Sequence, residues 1–334
     1  MSILCFGEIM LRLSPPGAQR VAQARQWEGM FAGSEANVAV SLAQFGLPVA
    51  YLTRVPDQAL GQAALAAVAQ YGVATHLAVK GGERLGIYFL EQGVGRRSSK
   101  VLYDRAHSGM ASLAPGMIDW RQALTGATWL HWSGITPALS PGAADALLEG
   151  LLMARELRIP VSGDLNYRAN LWTYGKQPVT IIPPLVACTD VLLGDETAFR
   201  ICLGIDQEAN AAPDSWLAAV KTAFPGLRHI AMTRREGFSA SHNSYQGVLY
   251  DGEKVFFSPK YDLPDLLDRI GSGDAFMAGL LFGLLKNEAD LQEVVGFATA
   301  AAALKHYIPG DFNLCSEAEV RALMAGSSGG RVSR

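Results

Sequence analysis

The sequence predicts an α/β protein: a doubly wound, mostly parallel sheet with helices on both faces and a small β-sheet lid. Three observations predict it. Short β-branched, apolar segments alternate with helix-period segments along most of the chain, and that rhythm implies parallel strands covered on both faces. Glycines such as Gly46 and Gly72 stand where the helical periodicity stops. One stretch, 84–104 (RLGIYFLEQGVGRRSSKVLYD), breaks the rhythm as two strand-like runs around a glycine-rich turn, a hairpin inserted into an α/β chain.

In order, residues 3–10 read as the first strand, followed by a polar, proline-containing stretch at 14–29. A helix pattern (Ala36, Val40, Ala43) runs from Glu35 to Phe45, then a strand at 49–55 and a helix at 62–71. After the hairpin, strand patterns at 128–133, 159–165, 190–193 and 229–233 alternate with helix patterns at 141–157, 179–188 and 215–224. A second hairpin, 247–258, turns at Asp251-Gly252, and helices at 274–286 and 291–306 close the fold. No internal repeat is present. The sequence thus reads as one domain over 1–325, its lid drawn from about 11–32 and 84–107, with a flexible tail at 326–334 (GSSGGRVSR). In such sheets ligands bind at the carboxyl ends of the strands, so the loops after strands are expected to carry the function.

Composition excludes several classes. Of 334 residues, 49% are hydrophobic and the net charge is −3, which rules out a disordered chain and makes nucleic acid an improbable partner. The densest basic stretch, Arg96, Arg97 and Lys100, lies among glycines and serines and reads as a solvated turn. Cys5, Cys188, Cys202 and Cys315 are scattered without a C-x-x-C pair, which suggests reduced thiols and a cytoplasmic location. The histidines form no zinc pattern. The N-terminus lacks a signal-peptide pattern, and no apolar run reaches the roughly 18–20 residues of a membrane span.

The segment 268–276, DRIGSGDAF, carries the chemistry. G-x-x-x-x-G-K-[ST] occurs nowhere, and position 276 is Phe, so neither a P-loop nor a dinucleotide fingerprint is present; a nicotinamide dehydrogenase is excluded on that ground. What remains is a glycine-rich turn entering a helix. Its unpaired N–H groups form an anion site, which a phosphate can approach closely where residues 271 and 273 carry no side chain. Asp274 beside that anion fits two readings, an ordinary helix cap or a base that takes a proton from an attacking hydroxyl.

Together with 32–46 (AGSEANVAVSLAQFG), the segment 268–281 (DRIGSGDAFMAGLL) resembles the two signature segments of the ribokinase-like (PfkB) carbohydrate kinases. The resemblance runs from the first strand to the last helix. It implies Gly271, Ser272 and Gly273 as the anion hole for the phosphate and Asp274 as catalytic base. Within the family the chain is most similar to 2-keto-3-deoxygluconate kinases, through DRIGSGDAF, YDRAHSG (103–109), DLNYRANLW (164–172) and 233–259. That implies transfer of the γ-phosphate of ATP to the primary (C6) hydroxyl of 2-keto-3-deoxygluconate. Magnesium is an implied cofactor, and a monovalent cation such as potassium is admitted beside it.

A sugar acid needs a cation for its carboxylate, and Arg105 and Arg168 are the candidates. Gly33, Asn37, Tyr88, Tyr103 and Asp311 are the remaining substrate candidates; Asn166 and the loop of Thr233, Arg235 and Gly237 are expected at the nucleotide. Each has a plain alternative: tyrosine is favoured on strands, Asn37 suits a first helical turn, and Arg105 suits a lid surface. One departure concerns the metal. Where relatives carry Asn-x-x-Glu, this chain has Asp195 and Ala198, so Asp195 and the neighbouring Glu196 are the candidates to hold magnesium through water. Kinases of neutral sugars such as fructose stay open as readings, as does a non-catalytic sugar-binding or regulatory protein on the same scaffold. An exposed lid edge points to a homo-oligomer paired through the lid.

Overall fold

The first strand is shorter than the sequence predicts. In the computed structural model, which describes residues 2–208, 210–287 and 289–326, β1 (Ser2–Phe6) ends at Gly7. The Gly7 N–H bonds to the Leu52 carbonyl at 3.1 Å, and the Tyr51 hydroxyl donates to the Gly7 carbonyl at 2.9 Å. Residues 7–9 leave the sheet there. Of the expected strand only Met10 lies beyond this connection, where it opens β2 (Met10–Ser14), which pairs with β3 (Glu28–Ala32) in a separate sheet. Periodicity alone does not mark this break, because both halves are apolar.

The chain returns through α1 (Ser34–Gln44) and β4 (Val49–Leu52). β5 (Arg54–Val55) and β6 (Val79–Lys80) flank α2 (Ala59–Ala69) and pair in parallel. β7 (Gly86–Glu91) and β8 (Lys100–Asp104) form the expected hairpin and complete a four-stranded sheet, ordered β3-β2-β7-β8. Then follow α3 (Trp120–Ala123), β9 (Ala127–Ser133), α4 (Pro141–Glu156), β10 (Val161–Asp164), α5 (Pro178–Val186) and β11 (Val191–Gly194). After them come α6 (Glu196–Leu203), α7 (Pro213–Ala223), β12 (His229–Ser239), β13 (His242–Tyr250), β14 (Val255–Phe257) and β15 (Tyr261–Leu263). The described chain ends with α8 (Ser272–Asn287), α9 (Leu291–Lys305) and α10 (Glu317–Met324). The expected tail from 327 onward lies outside the described residues.

The main sheet runs β14-β13-β12-β11-β10-β9-β1-β4, with β15 also on β13. It is parallel from β4 to β12 and antiparallel beyond. This is the ribokinase-like α/β architecture. Two apolar layers cover its faces. Phe282 and Phe297 stack, with Phe45 set edge-on to Phe297, where α1, α8 and α9 meet, and Trp120, Trp132, Phe199 and Trp216 fill the other side under α3 to α7. Each such fully buried side chain contributes roughly 1.5–3 kcal/mol. Among the described residues no helix is long and apolar enough to cross a membrane.

The expected strand at 229–233 is a long one, and the residues expected as a nucleotide loop, 233–237, belong to it. They pair antiparallel with β13, from Thr233↔Gly247 to Gly237↔Asn243. β12 is buried over its first four residues and exposed over the next stretch. With both faces solvated there, no apolar alternation announces the strand.

Candidate active site

The carboxyl ends of β1, β10 and β11 and the middle of β12 open into one cleft of about 770 Å³, roofed by the small sheet and floored by the starts of α1 and α8. The glycine turn lies at its base. Gly271 sits at φ +83°, and a Cβ there would stand 2.0 Å from the Asp311 carbonyl oxygen, so both backbone and packing require glycine. Gly273 differs: a Cβ on it would meet nothing within 4 Å, because its missing side chain faces the open cleft. The Ser272 hydroxyl donates to the Arg269 carbonyl at 3.0 Å and accepts from Arg235 Nη2 at 2.9 Å. The start of α8 thus presents free N–H groups with a guanidinium beside them.

Asp274 is in the first turn of α8, inside the helix rather than before it. Its oxygens accept from another helix: Oδ1 from the Ser34 hydroxyl and Oδ2 from Asn37 Nδ2, each at 2.7 Å. The helix-cap reading of this residue therefore gives way. Asp274 is 8% exposed, and burial pushes its pKa up to about 6 against those two hydrogen bonds. Asn166 Nδ2 donates to the Ser34 hydroxyl at 2.9 Å, extending the chain of contacts. Asn37, expected on sugar hydroxyls, has its amide occupied: Oδ1 accepts from Gly33 N at 3.3 Å and Nδ2 holds Asp274. Two further carboxyls stand close by. Burial and the neighbouring Asp274 raise Asp164 to about 7, and burial raises Glu35 to about 7 against hydrogen bonds from Ser133 and Thr136.

The roof is set by strand register. Arg12 pairs with Tyr88 and Tyr88 with Tyr103, so the three lie in one row across β2, β7 and β8, on the face toward the cleft. Asp311 is anchored here: Arg12 Nη1 donates to its Oδ1 and the Tyr88 hydroxyl to its Oδ2, both at 2.5 Å. Arg12 Nη2 also contacts Asp268 at 2.7 Å. Asp311 lines the cleft with both oxygens already engaged. Arg105 is buried, and its Nε and Nη2 both donate to Glu8, while its Nη1 has no hydrogen-bond partner among the described residues. Arg168 is exposed at the cleft mouth, its Nη1 donating to the Tyr167 carbonyl at 3.1 Å.

On the other side, Thr233 and Arg235 line the cleft, while Gly237 lies beyond it on β12. Asp195 Oδ1 caps α6 by accepting from Ala198 N at 2.7 Å, and Glu196 stands next to it at the cleft wall. Among the described residues no three acidic, histidine or cysteine side chains gather to hold a metal. That donor set fits an ion kept mostly by phosphates and water, as magnesium is, and not a resident metal centre.

Reading the sequence missed Glu8, Arg12, Ser34, Asp164 and Arg269, all in or beside the cleft. Glu8 and Asp164 follow or end strands whose carboxyl ends face it, a position that marks them in principle. Arg12 carries no such signal.

The arrangement can hold an anion at Gly273 while Asp274 accepts a proton beside it. A profile described as pfkB family carbohydrate kinase matches residues 1–310. A 2-dehydro-3-deoxygalactonokinase of Haloferax volcanii is 32% identical, over 98% of each chain. A 2-dehydro-3-deoxygluconokinase of Thermoproteus tenax is 26% identical, over 93% of this chain and 90% of its own. The crystal structure of 2-dehydro-3-deoxygluconokinase from Thermotoga maritima is 39% identical and matches 98% of each chain with a TM-score of 0.93.

Proposed function

This chain belongs to the pfkB family of carbohydrate kinases, and on that premise we propose that it transfers the γ-phosphoryl group of ATP to the primary C6 hydroxyl of a 2-keto-3-deoxy sugar acid, with 2-keto-3-deoxygluconate as the reference substrate. One observation carries the proposal: a buried carboxylate, Asp274, fixed by Ser34 and Asn37 at the open start of α8. Asp274 takes the proton of the attacking hydroxyl. The N–H groups of Gly271, Ser272 and Gly273 receive the charge on the transferring phosphoryl, with Arg235 beside them. Asn37, Ser34 and Asn166 position the base. Thr233 and Arg235 face the nucleotide. A magnesium ion bound with the triphosphate would draw on Asp195 and Glu196 through water, and it would neutralise charge on the phosphoryl oxygens.

The names of the relatives support an acidic substrate, and so does Arg168, an arginine exposed at the cleft that forms no ion pair among the described residues. Arg168 takes the main part of the carboxylate, with one edge of Arg105 behind it; Tyr88 and Tyr103 face the sugar and Gly33 shapes the floor. The four cysteines, all free and buried, suit the cytoplasm.

A coupled ADP-release assay tests the reading with 2-keto-3-deoxygluconate, its C4 epimer, fructose, ribose and tagatose. The acids are expected to turn over with far higher kcat/KM than the neutral sugars, and Arg168→Ala to raise KM for the acids alone, about 10- to 100-fold. Equal kcat/KM for acids and fructose, or an Arg168→Ala effect common to both, would overturn the acid assignment.

A further inference from the structure

One buried cation has no part in the reaction as described. Lys305 lies in the last turn of α9 with 0% of its surface exposed. Its ammonium donates to the carbonyl of Ile308 at 3.1 Å and lies 3.5 Å from the carbonyl of Asp268. Among the described residues no carboxylate stands within ion-pair distance of it. A lysine this deep normally pairs with an acid, because an uncompensated buried charge is costly. Burial pulls its pKa below the usual lysine range, while Asp268 and Asp311 act in the opposite sense.

The two carbonyls come from the segments that build the anion turn. Asp268 leads into Gly271, and Ile308 leads into Asp311, whose own carbonyl packs where a side chain on Gly271 would stand. The segments are already joined. Leu267 N and Asp268 N donate to the His306 carbonyl at 2.9 and 3.1 Å, and Gly310 N donates to Asp268 Oδ2 at 3.2 Å. Behind the turn, therefore, sit the carboxylates of Asp268 and Asp311, the charges of Arg12 and Lys305, and the negative end of the α9 dipole. Without the ammonium the groups behind the turn would be net negative, opposing the positive charge that Arg235 and Arg269 bring on its cleft side.

We infer that Lys305 is a tethered monovalent cation: its ammonium gathers the carbonyls of Asp268 and Ile308 behind the anion turn and supplies the positive charge that a bound potassium ion would bring. Lys305 is thus a positioning residue that acts on phosphate through the turn. The inference rests on the reading of 271–274 as the phosphate site, and it removes the need for the monovalent cofactor that the resemblance admits.

The test compares ADP release and Tm in potassium, sodium and tetramethylammonium chloride at one ionic strength. The wild-type protein is expected to show the same kcat in all three. Lys305→Ala is expected to lose about 10- to 100-fold in kcat in sodium or tetramethylammonium. Potassium, entering the vacated space, should restore activity and raise Tm in that variant alone. A wild-type enzyme that requires potassium, or a Lys305→Ala variant that turns over normally or ignores every cation, would overturn the inference. Should Lys305→Ala fold only in potassium, that rescue supports it. Should it fold in no salt, Lys305→Met keeps the volume without the charge: normal kcat there refutes the role, and lost kcat at unchanged Tm upholds it. Failure of the wild type on every sugar acid would instead refute the proposed function, while the Tm response of Lys305→Ala to potassium tests the lysine without turnover.

Discussion

Asp274 is held by two opposing influences. Burial favours its neutral form, while the Ser34 and Asn37 donors favour its charge, and the balance at about 6 leaves a carboxylate that is ionised at neutral pH yet basic for its kind. Asp274→Asn preserves the size and one acceptor, so folding should survive while kcat falls by about 10²- to 10⁴-fold with little change in KM. The pH dependence has a definite sign. The active form is the deprotonated one, so kcat/KM holds above pH 6 and falls as pH drops through it, about tenfold per unit. A pH–rate profile checks this, and a rate that stays flat to pH 5 would remove Asp274 as the base. Asp274 stood out in DRIGSGDAF as a candidate proton acceptor. What holds its carboxylate was not legible there, because both donors are side chains of α1, about 240 positions away.

At the scale of elements, the two glycines of the turn separate. Gly271→Ala would force an L-residue to φ +83° against the Asp311 carbonyl, and a marked drop in Tm is expected. Gly273→Ala meets no protein atom, so Tm should stay unchanged while the methyl group obstructs the phosphate and lowers kcat/KM for ATP. Thermal melts beside steady-state kinetics distinguish them; equal Tm losses would remove Gly273 from the phosphate site. Most elements were readable because burial imposes a period, and β9, β10, β11, α4 and α8 fall close to their expected places. Where burial is absent the signal fails. β12 runs into solvent as part of a hairpin, and 233–237 therefore read as a loop. α6 and α10 went unread although Asp195 with Gly204, and Ser316 with Glu319, are sound end signals. Helices this short offer too few turns for an apolar stripe to stand out.

At the scale of the whole molecule, the small sheet has two unlike faces. Its inner face carries Arg12, Tyr88 and Tyr103, and its outer face aligns Leu13, Phe89 and Leu102 across β2, β7 and β8, with Trp27 against Phe89 at 5.4 Å. Leu102 is 56% and Trp27 40% exposed, an apolar row that a second copy of the chain would cover. Light scattering should accordingly give a dimer or a multiple of it, and Leu102→Glu should shift it toward the monomer. A monomeric wild type, or a variant with undiminished mass, would refute pairing through this sheet. Such long-range facts have no local signature: Arg12 and Asp311 are 299 positions apart in the chain. Their contact also governs how the roof moves. Arg12 is rooted in β2, yet both ends of its guanidinium are fastened to the floor, at Asp268 and at Asp311. Swinging the whole sheet as a rigid flap would tear a buried charge from its partners, at a cost of about 3–5 kcal/mol. The roof is therefore riveted at several points: through Arg12 on β2, through the Tyr88 hydroxyl on Asp311, and at the hairpin tip, where the Gly95 carbonyl accepts from Ala240 N at 2.8 Å, so it resists lifting as one hinged flap.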